Sequence, residues 1–279
     1  MFYLIGAISF NVVRTFVMKY SESNSGNRYG VTFVNYLVGT ILGYLFMSDK
    51  TLIVQSSDGL FTLGFSAIDS FVFVACLVLM QHNIKINGAP LTATFNRMGI
   101  IIPIVVSALL FNEVPSMLKI TGIVISLIAV IYMNSGEKNE ASKKGAIALI
   151  LLFVSGGIEE LMTKLFNVFG NADYQERFVF YTFLFSALIS LFLCIKSGGK
   201  LSKRDIIAGV FVGIPNQLAA LCIVKAVGEL PAYIVYPCYS ASVIFTVNII
   251  NFLIFREKLS KKEYIATGII AFALILINI

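Results

Sequence analysis

The chain has 279 residues, of which 58% are apolar and 13% are charged, and its mean hydropathy is +0.88. Water-soluble domains carry about 45–50% apolar and about 25% charged residues, so the composition argues against a soluble globular protein. The net charge of +6 comes from basic residues scattered along short loops, without the basic stripe interleaved with aromatics that is typical of nucleic-acid binding. We therefore expect lipid, and no nucleic acid, around this protein.

Apolar runs separated by polar or Gly/Pro segments predict ten membrane-spanning helices in chain order. A hydrocarbon layer of about 30 Å requires about 20 apolar residues per helix, and each run is close to that length. The predicted spans are residues 2–19, 29–47, 59–81, 88–111, 116–134, 145–168, 175–195, 204–226, 231–255 and 261–279. The predicted fold class is an all-α integral membrane protein with ten transmembrane helices.

Basic residues divide unevenly between the two sides of this topology. Fourteen fall in loops on one side and four on the other side, namely Lys50, Lys119, Arg177 and Lys225. Lys and Arg favour cytoplasmic loops, so the count predicts that both termini lie outside the cytoplasm. This prediction depends on all ten spans, because one span more or fewer would move every later loop to the opposite side.

The two halves of the chain resemble each other at offsets of 141, 144 and 145 residues. The paired segments are GAPLTATFNRMG at 88–99 with GELPAYIVYPCYSAS at 228–242, FNEVPS at 111–116 with FREKLS at 255–260, and RTFVMK at 14–19 with EELMTK at 159–164. The halves, residues 1–137 and 138–279, each contain five predicted spans, so the second copy enters the membrane from the opposite face. Inverted repeats of this kind are common in secondary transporters, which bind substrate near the membrane midplane.

A tight turn carrying Phe-x-Glu-x-x-Ser precedes the last helix of each half, and a small residue follows nine positions after the Glu. The matching residues are Phe111, Glu113, Ser116 and Gly122 in the first half and Phe255, Glu257, Ser260 and Ala266 in the second. With ten spans in two halves, this pattern resembles the EamA-type family of the drug/metabolite transporter superfamily. Asn112 or Arg256 stands where that family usually has Gly before the Glu.

The resemblance implies a central cavity lined by the first, third, fourth, sixth, eighth and ninth helices. It also implies that both termini lie in the cytoplasm, which conflicts with the count of basic residues. On either orientation, the expected location is the plasma (inner) membrane, crossed several times by one compact transport domain.

Six ionisable residues fall inside predicted spans, where each costs at least about 2.5–3.5 kcal/mol. They are Arg14, Asp69, Arg97, Glu159, Glu160 and Lys164. All six lie in the first, third, fourth and sixth spans, which the resemblance assigns to the cavity. Arg14 and Arg97 are predicted to bind substrate, because a guanidinium offers a fixed fork to a carboxylate or phosphate. The alternative is a cross-helix ion pair with Glu159 or Asp69.

The acidic residues and Lys164 are predicted to serve coupling or charge pairing. Glu160 and Lys164 have the i,i+4 spacing of a structural ion pair. Asp69 and Glu159 are candidates for a coupling proton, because burial favours the protonated form of a carboxyl group unless a cation is near. If Glu159 lay beside Arg14, its carboxylate would stay ionised and could not carry a proton.

Uncharged polar side chains in the middle of spans form a second set of candidate substrate ligands. Asn96 is central in the fourth span, and Asn216 and Gln217 follow a proline in the eighth. Proline removes a backbone hydrogen bond, so these two amides either bind a ligand or stabilise helix packing. Tyr236 and Tyr239 lie deep in the ninth span and are predicted to form the wall of a cavity.

The predicted function is secondary-active transport of a small polar metabolite, an amino acid or related zwitterion or organic anion, by alternating access. Two alternatives stay open: an intramembrane enzyme that uses Asp69 and Glu159 as a carboxylate pair, and a non-transporting receptor or assembly protein. The chain contains no Walker sequence, HExxH or nucleophile elbow, and its four cysteines lack metal-ligand spacing. We therefore expect no enzyme activity, no metal and no cofactor.

The expected partners are a small-molecule substrate, membrane lipid and a proton as candidate coupling ion. Fusion of the two halves makes a monomer sufficient for transport and does not exclude a dimer.

Overall fold

The computed structural model describes residues 1–24, 27–87, 89–134, 143–198, 201–253 and 261–278. These residues form α-helices and one 3-10 helix, Ala172–Tyr174, and contain no strand, so the all-α prediction is confirmed. The helices are α1 (Phe2–Asn24), α2 (Arg28–Phe46), α3 (Ser57–Asn87), α4 (Ala89–Met98), α5 (Ile101–Leu110), α6 (Met117–Asn134), α7 (Lys143–Phe169), α8 (Gln175–Lys196), α9 (Lys203–Glu229), α10 (Ala232–Leu253) and α11 (Lys261–Asn278).

Six helices in the described ranges are long and apolar enough to cross a membrane. They cover Arg28–Phe46, Ser57–Met80, Gly145–Phe169, Ala172–Lys196, Lys203–Glu229 and Ala232–Ile250. Shorter apolar helical segments stand at the positions of the first, fourth, fifth and tenth predicted spans, at Phe2–Met18, Phe95–Leu110, Met117–Ala129 and Tyr264–Ile277. The protein is an integral membrane protein with several membrane-spanning helices.

The predicted fourth span, residues 88–111, is not one continuous helix. Gly99 and Ile100 separate α4 from α5. The amide of Gly99 donates to the carbonyl oxygen of Asn96 over 3.2 Å, a three-residue spacing typical of a 3-10 turn. Apolar residues continue through the break, and glycine is frequent in transmembrane helices, so the sequence pattern predicted an unbroken helix.

The chain divides into two compact units, and each takes residues from both sequence halves. The first unit contains Met1–Val74 and Met162–Glu229, and the second contains Ala75–Leu161 and Leu230–Ile279. The helices α3 and α7 therefore contribute to both units. The predicted halves, residues 1–137 and 138–279, were defined by an internal sequence repeat, and their bounds differ from those of the two compact units. The repeat itself stays a prediction.

In the first unit, α2 packs against both α8 and α9, and α1 packs against α9. Glycines make the α2 contacts close. A Cβ atom at Gly39 would lie 2.1 Å from a ring carbon of Phe183, and one at Gly213 would lie 2.7 Å from the backbone oxygen of Asn35. Any larger residue would separate these helices, so glycine brings polar groups on α2 and α9 within hydrogen-bonding range.

The loop after α2 is fastened to α8 through Arg177, which is only 3% exposed. Its guanidinium donates to the carboxylate of Asp49 over 2.8 Å and to the backbone oxygen of Thr51. The hydrogen bonds from Thr51 and the charge of Arg177 hold the pKa of Asp49 below its usual value. The loop therefore has a fixed path over this end of the unit.

Glu176 joins three elements at the same end of the first unit. Its carboxylate accepts hydrogen bonds from the amide and hydroxyl of Ser48, over 3.0 and 2.9 Å, and pairs with Lys225 of α9 at 2.9 Å. Beside this pair lies an open cleft of about 690 Å³, which Tyr3 and Arg177 also line. Arg177 and Lys225, two of the four basic residues predicted for the sparsely charged side, thus lie together.

In the second unit, α6 packs against α11, and α10 contacts α5, α6 and α11. Ala129, Ala241 and Ile270 form a buried cluster at the meeting of α6, α10 and α11. Gly122 faces α11 closely, since a Cβ atom there would lie 3.0 Å from the carbonyl oxygen of Ala273. The small residue nine positions after Glu113 therefore serves helix packing.

The first Phe-x-Glu-x-x-Ser turn has a clear structural role in the second unit. Asn112 has a φ of +58°, a left-handed conformation that glycine adopts freely and asparagine tolerates. The carboxylate of Glu113 then accepts a 2.9 Å hydrogen bond from the amide of Ala232 and so caps the start of α10. The second copy of the motif, with Phe255, Glu257 and Ser260, lies outside the described residues.

Candidate functional site

Arg14 lies midway along α1 in the first unit and is partly buried. Its Nη1 atom donates a 2.6 Å hydrogen bond to Oδ1 of Asn216 on α9. Its Nε atom is buried and has no hydrogen-bond partner within the described ranges. The guanidinium is therefore held by a neutral amide and keeps an unused donor.

Asn216 is also bonded to a second buried amide. Its Nδ2 atom donates over 3.1 Å to Oδ1 of Asn35 on α2. The sequence prediction named Asn216 but missed Asn35, which stands in an apolar helix without an ionisable neighbour. The glycines at 209 and 213 on α9, four residues apart, are the signal that α2 comes close to α9 at this point.

Asp69 has a different position from the one that an ion pair with Arg14 would require. It is buried in the first unit, and its Oδ2 atom accepts a 3.0 Å hydrogen bond from the hydroxyl of Thr182 on α8. Among the described residues, no carboxylate forms an ion pair with Arg14, whereas Arg177 and Lys225 of the same unit each pair with a carboxylate. The described carboxylates of this unit thus leave the charge of Arg14 without an ion pair.

Gln217 follows Asn216 on α9 and is 1% exposed. Its side chain faces α2, because a Cβ atom at Gly43 would lie 2.9 Å from Nε2 of Gln217. Its Oε1 atom is buried without a hydrogen-bond partner in the described part of the chain. A buried acceptor of this kind is costly, and contact with substrate stays a prediction for Gln217.

In the second unit, Asn96 lies in α4 just before the helix break. Its side chain covers Gly156 of α7, where a Cβ atom would lie 2.6 Å from Oδ1 of Asn96. The thiol of Cys76 on α3 lies 3.6 Å from the same oxygen and also faces the carboxylate of Glu159. The structure thus brings Asn96 and Glu159 together around Cys76, which the sequence prediction did not name. Substrate contact by Arg97, the next residue of α4, stays a prediction.

The tyrosines of α10 are buried in the second unit. Tyr236 is fully buried, and its hydroxyl donates a 2.6 Å hydrogen bond to the backbone oxygen of Glu160 on α7. Tyr239, one turn later, is also buried. The hydroxyl of Tyr236 therefore joins α10 to α7, and a cavity wall stays a prediction for both tyrosines. The predicted pairing of Glu160 with the buried Lys164 also stays a prediction.

Residues 143–279 match the sequence profile of the EamA-like transporter family. The second half of the chain therefore contains a domain that is similar to EamA-like transporters. The family resemblance predicted from the sequence is confirmed by this match. The domain begins with α7 and includes Glu159, Asn216 and Tyr236 among the predicted site residues.

Two further similarities extend over most of the chain. An uncharacterized protein of Haemophilus influenzae is 23% identical over 218 residues, which is 76% of this chain and 73% of that protein. A protein of known crystal structure is similar with a TM-score of 0.78 at 12% sequence identity, and the match covers 99% of this chain and 98% of the other chain. The second similarity shows a shared fold.

Proposed function

We propose that this protein is a secondary-active transporter that moves a small polar metabolite across the membrane by alternating access. The EamA-like domain and the apolar spanning helices support membrane transport as the general function. The proposal rests mainly on the surroundings of Arg14. This cation lies within α1, and its described hydrogen-bond partner is the neutral amide of Asn216.

The free-energy cost of a charge inside a membrane span favours a role for Arg14 beyond helix packing. A charged side chain at the centre of a span costs at least about 2.5–3.5 kcal/mol. A hydrogen bond to a charged group returns only about 1.5–3 kcal/mol. An ion pair would neutralise the charge, but the carboxylates of Asp49, Glu176 and Asp69 in the first unit bond to other residues. An anionic substrate group is the partner that would neutralise Arg14 during transport.

The substrate is an amino acid or related zwitterion or an organic anion. Arg14 offers N–H donors to its carboxylate, and Asn216 holds the guanidinium in place. The further proposed substrate-binding residues, in the order of the chain, are Asn96, Arg97, Gln217, Tyr236 and Tyr239.

Helix packing within each unit supports two inverted five-helix repeats. In the first unit α2 packs against α8, and in the second unit α6 packs against α11. In a ten-span topology, these pairs are the second with the seventh span and the fifth with the tenth. Helices in equivalent positions of the two halves thus contact each other, as expected when a two-fold axis relates the halves.

Asp69 and Glu159 are the proposed carriers of a coupling proton. Asp69 is buried with the hydroxyl of Thr182, and Glu159 faces the thiol of Cys76. We expect uptake driven by a pH gradient to fall in Asp69→Asn or Glu159→Gln, while exchange without a gradient continues. A flux that responds neither to pH nor to these substitutions contradicts proton coupling.

The first experiment identifies a ligand. It measures the melting temperature of purified protein in the presence of amino acids, nucleobases, organic acids and amines at pH 6 and pH 8. A ligand that binds only the folded protein stabilises it by about 2.7 kcal/mol at 100 times its Kd. The compound with the largest shift is then assayed for flux into sealed proteoliposomes, with wild type and Arg14→Ala compared. Binding without flux favours a receptor, and conversion of the compound favours an enzyme.

A further inference from the structure

We propose that Asn35 is a positioning residue for anion recognition by Arg14 and acts through Asn216. The inference rests on the proposed function, since it concerns the same arginine. It adds a residue on α2 to a group that otherwise consists of side chains on α1 and α9.

The hydrogen bonds define a direction along this chain of side chains. The guanidinium of Arg14 has only donors, so the end of Asn216 that faces it must be the amide oxygen. The other end of Asn216 is then the NH2 group, which requires an acceptor. Oδ1 of Asn35 supplies that acceptor at 3.1 Å. Without Asn35, the orientation that serves Arg14 leaves the NH2 group of Asn216 unbonded in a buried site.

Burial of both amides strengthens the preference of Asn216 for the orientation that directs its oxygen to Arg14. Asn35 is 8% exposed and Asn216 is 5% exposed, so water has little access to replace a lost partner. A buried donor without a hydrogen-bond partner destabilises the folded protein. The backbone contact between Gly213 and Asn35 holds α2 and α9 close enough for the amide bond to form.

The orientation also decides which edge of the arginine a ligand meets. Asn216 uses Nη1, so the edge formed by Nε and Nη2 remains for another partner. The parallel N–H groups of this edge match the two oxygens of a carboxylate. The buried, unbonded Nε atom lies on this edge. Asn35 thus favours the guanidinium orientation that binds a carboxylate with two hydrogen bonds.

The test measures the binding of acetate, with neutral acetamide as matched probe, by the melting temperature of purified protein at constant ionic strength. The variants are Asn35→Leu, Asn216→Leu and the double variant. Asn167→Leu serves as control, because Asn167 is an amide of the same unit that bonds to the backbone of Val224 and to Gln175. If Asn35→Leu does not fold, Asn35→Ser replaces it, since its short hydroxyl does not reach Asn216.

We expect wild type to respond to acetate and not to acetamide. Asn35→Leu should raise the apparent Kd for acetate by about tenfold. In the Asn216→Leu background, the same change should have no further effect on that Kd, because Asn35 acts through Asn216. Asn167→Leu should lower the melting temperature and leave the Kd unchanged.

The two proposals fail in different ways. If Asn35→Leu lowers the melting temperature but keeps the acetate Kd of wild type, Asn35 serves only helix packing and the positioning role is wrong. If Asn35→Leu still raises the Kd in the Asn216→Leu background, it does not act through Asn216. If wild type does not distinguish acetate from acetamide, carboxylate recognition by Arg14 is itself contradicted.

Discussion

Nη1 of Arg14 and Oδ1 of Asn216 lie 2.6 Å apart, near the middle of α1 and α9. This contact gives the arginine a dipole as its partner instead of a negative charge. Among the described residues, no carboxylate neutralises this positive charge, as a structural ion pair would. The distinction leads directly to a substitution that separates a binding role from a structural one.

Replacing Asn216 by Asp should convert the contact into an ion pair. We expect the melting temperature of Asn216→Asp to stay close to that of wild type, because the ion pair with Arg14 offsets the lost hydrogen bond from Asn216 to Oδ1 of Asn35. Affinity for acetate should fall by about tenfold or more, because the new carboxylate competes for the guanidinium. A titration followed by melting temperature measures both quantities.

The control for this substitution is Asn167→Asp, which places a carboxylate against the backbone oxygen of Val224 in the same unit. It should lower the melting temperature and leave acetate binding unchanged. Unchanged acetate affinity in Asn216→Asp would show that Arg14 does not bind the anion.

Gly157→Ala should destabilise the second unit. A Cβ atom at this position would lie 2.4 Å from a side-chain carbon of Ile102 and 2.6 Å from the backbone oxygen of Gly99. The overlap falls on the break between α4 and α5, and overpacking of this kind costs about 1–3 kcal/mol. A lower melting temperature is therefore expected.

Gly268→Ala on α11 is the matched control, because a Cβ atom there meets no atom within 4 Å. It should leave the melting temperature unchanged or raise it, since alanine favours a helix by up to about 1 kcal/mol over glycine. Equal effects of Gly157→Ala and Gly268→Ala would contradict the close packing of α7 on the helix break.

Asn112→Val should destabilise the protein, whereas Asn112→Gly should not. The φ of +58° at Asn112 costs an ordinary side chain about 1–2 kcal/mol, and valine is branched at Cβ. Glycine adopts this conformation freely, in agreement with its usual presence there in the family that the sequence resembles. Melting temperatures of the three proteins check the order, and a valine variant as stable as wild type would contradict the left-handed turn.

The fastening of the loop after α2 should weaken in acid. The pKa of Asp49 is lower in the folded protein than in the unfolded chain, where it is about 4. The ionised carboxylate therefore stabilises the fold fully above about pH 4, and this stabilisation is lost as the pH falls through the folded pKa. We expect the melting temperatures of wild type and Asp49→Asn to differ at pH 7 and to converge below about pH 4. A difference that stays constant over this range would show that the ionised carboxylate does not stabilise the loop.

The positions of the helices followed from the sequence because the apolar runs are long and their polar borders are distinct. The observed helices begin and end within a few residues of most predicted spans. The break at Gly99 was not predictable from its own segment, since it lies where Gly99 packs against Gly157 on another helix. Hydropathy along one segment carries no information about that contact.

The candidate site was only partly predictable for a similar reason. Arg14 and Asn216 were predicted separately, because a charge and a proline-linked amide within spans are unusual by themselves. Asn35 is 181 residues from Asn216, and nothing in its own segment predicts the hydrogen bond between them. Cys76 lies in an apolar run, and its contacts with Asn96 and Glu159 join helices that the sequence pattern does not connect.

The most direct test of the transport proposal is flux into sealed proteoliposomes of the compound that raises the melting temperature most. Wild type, Arg14→Ala and Asn167→Leu should be compared at equal amounts of folded protein. The account predicts flux in wild type and Asn167→Leu and a loss of about tenfold or more in Arg14→Ala. Equal flux in all three proteins would contradict the role of Arg14, and binding without flux in wild type would contradict transport itself.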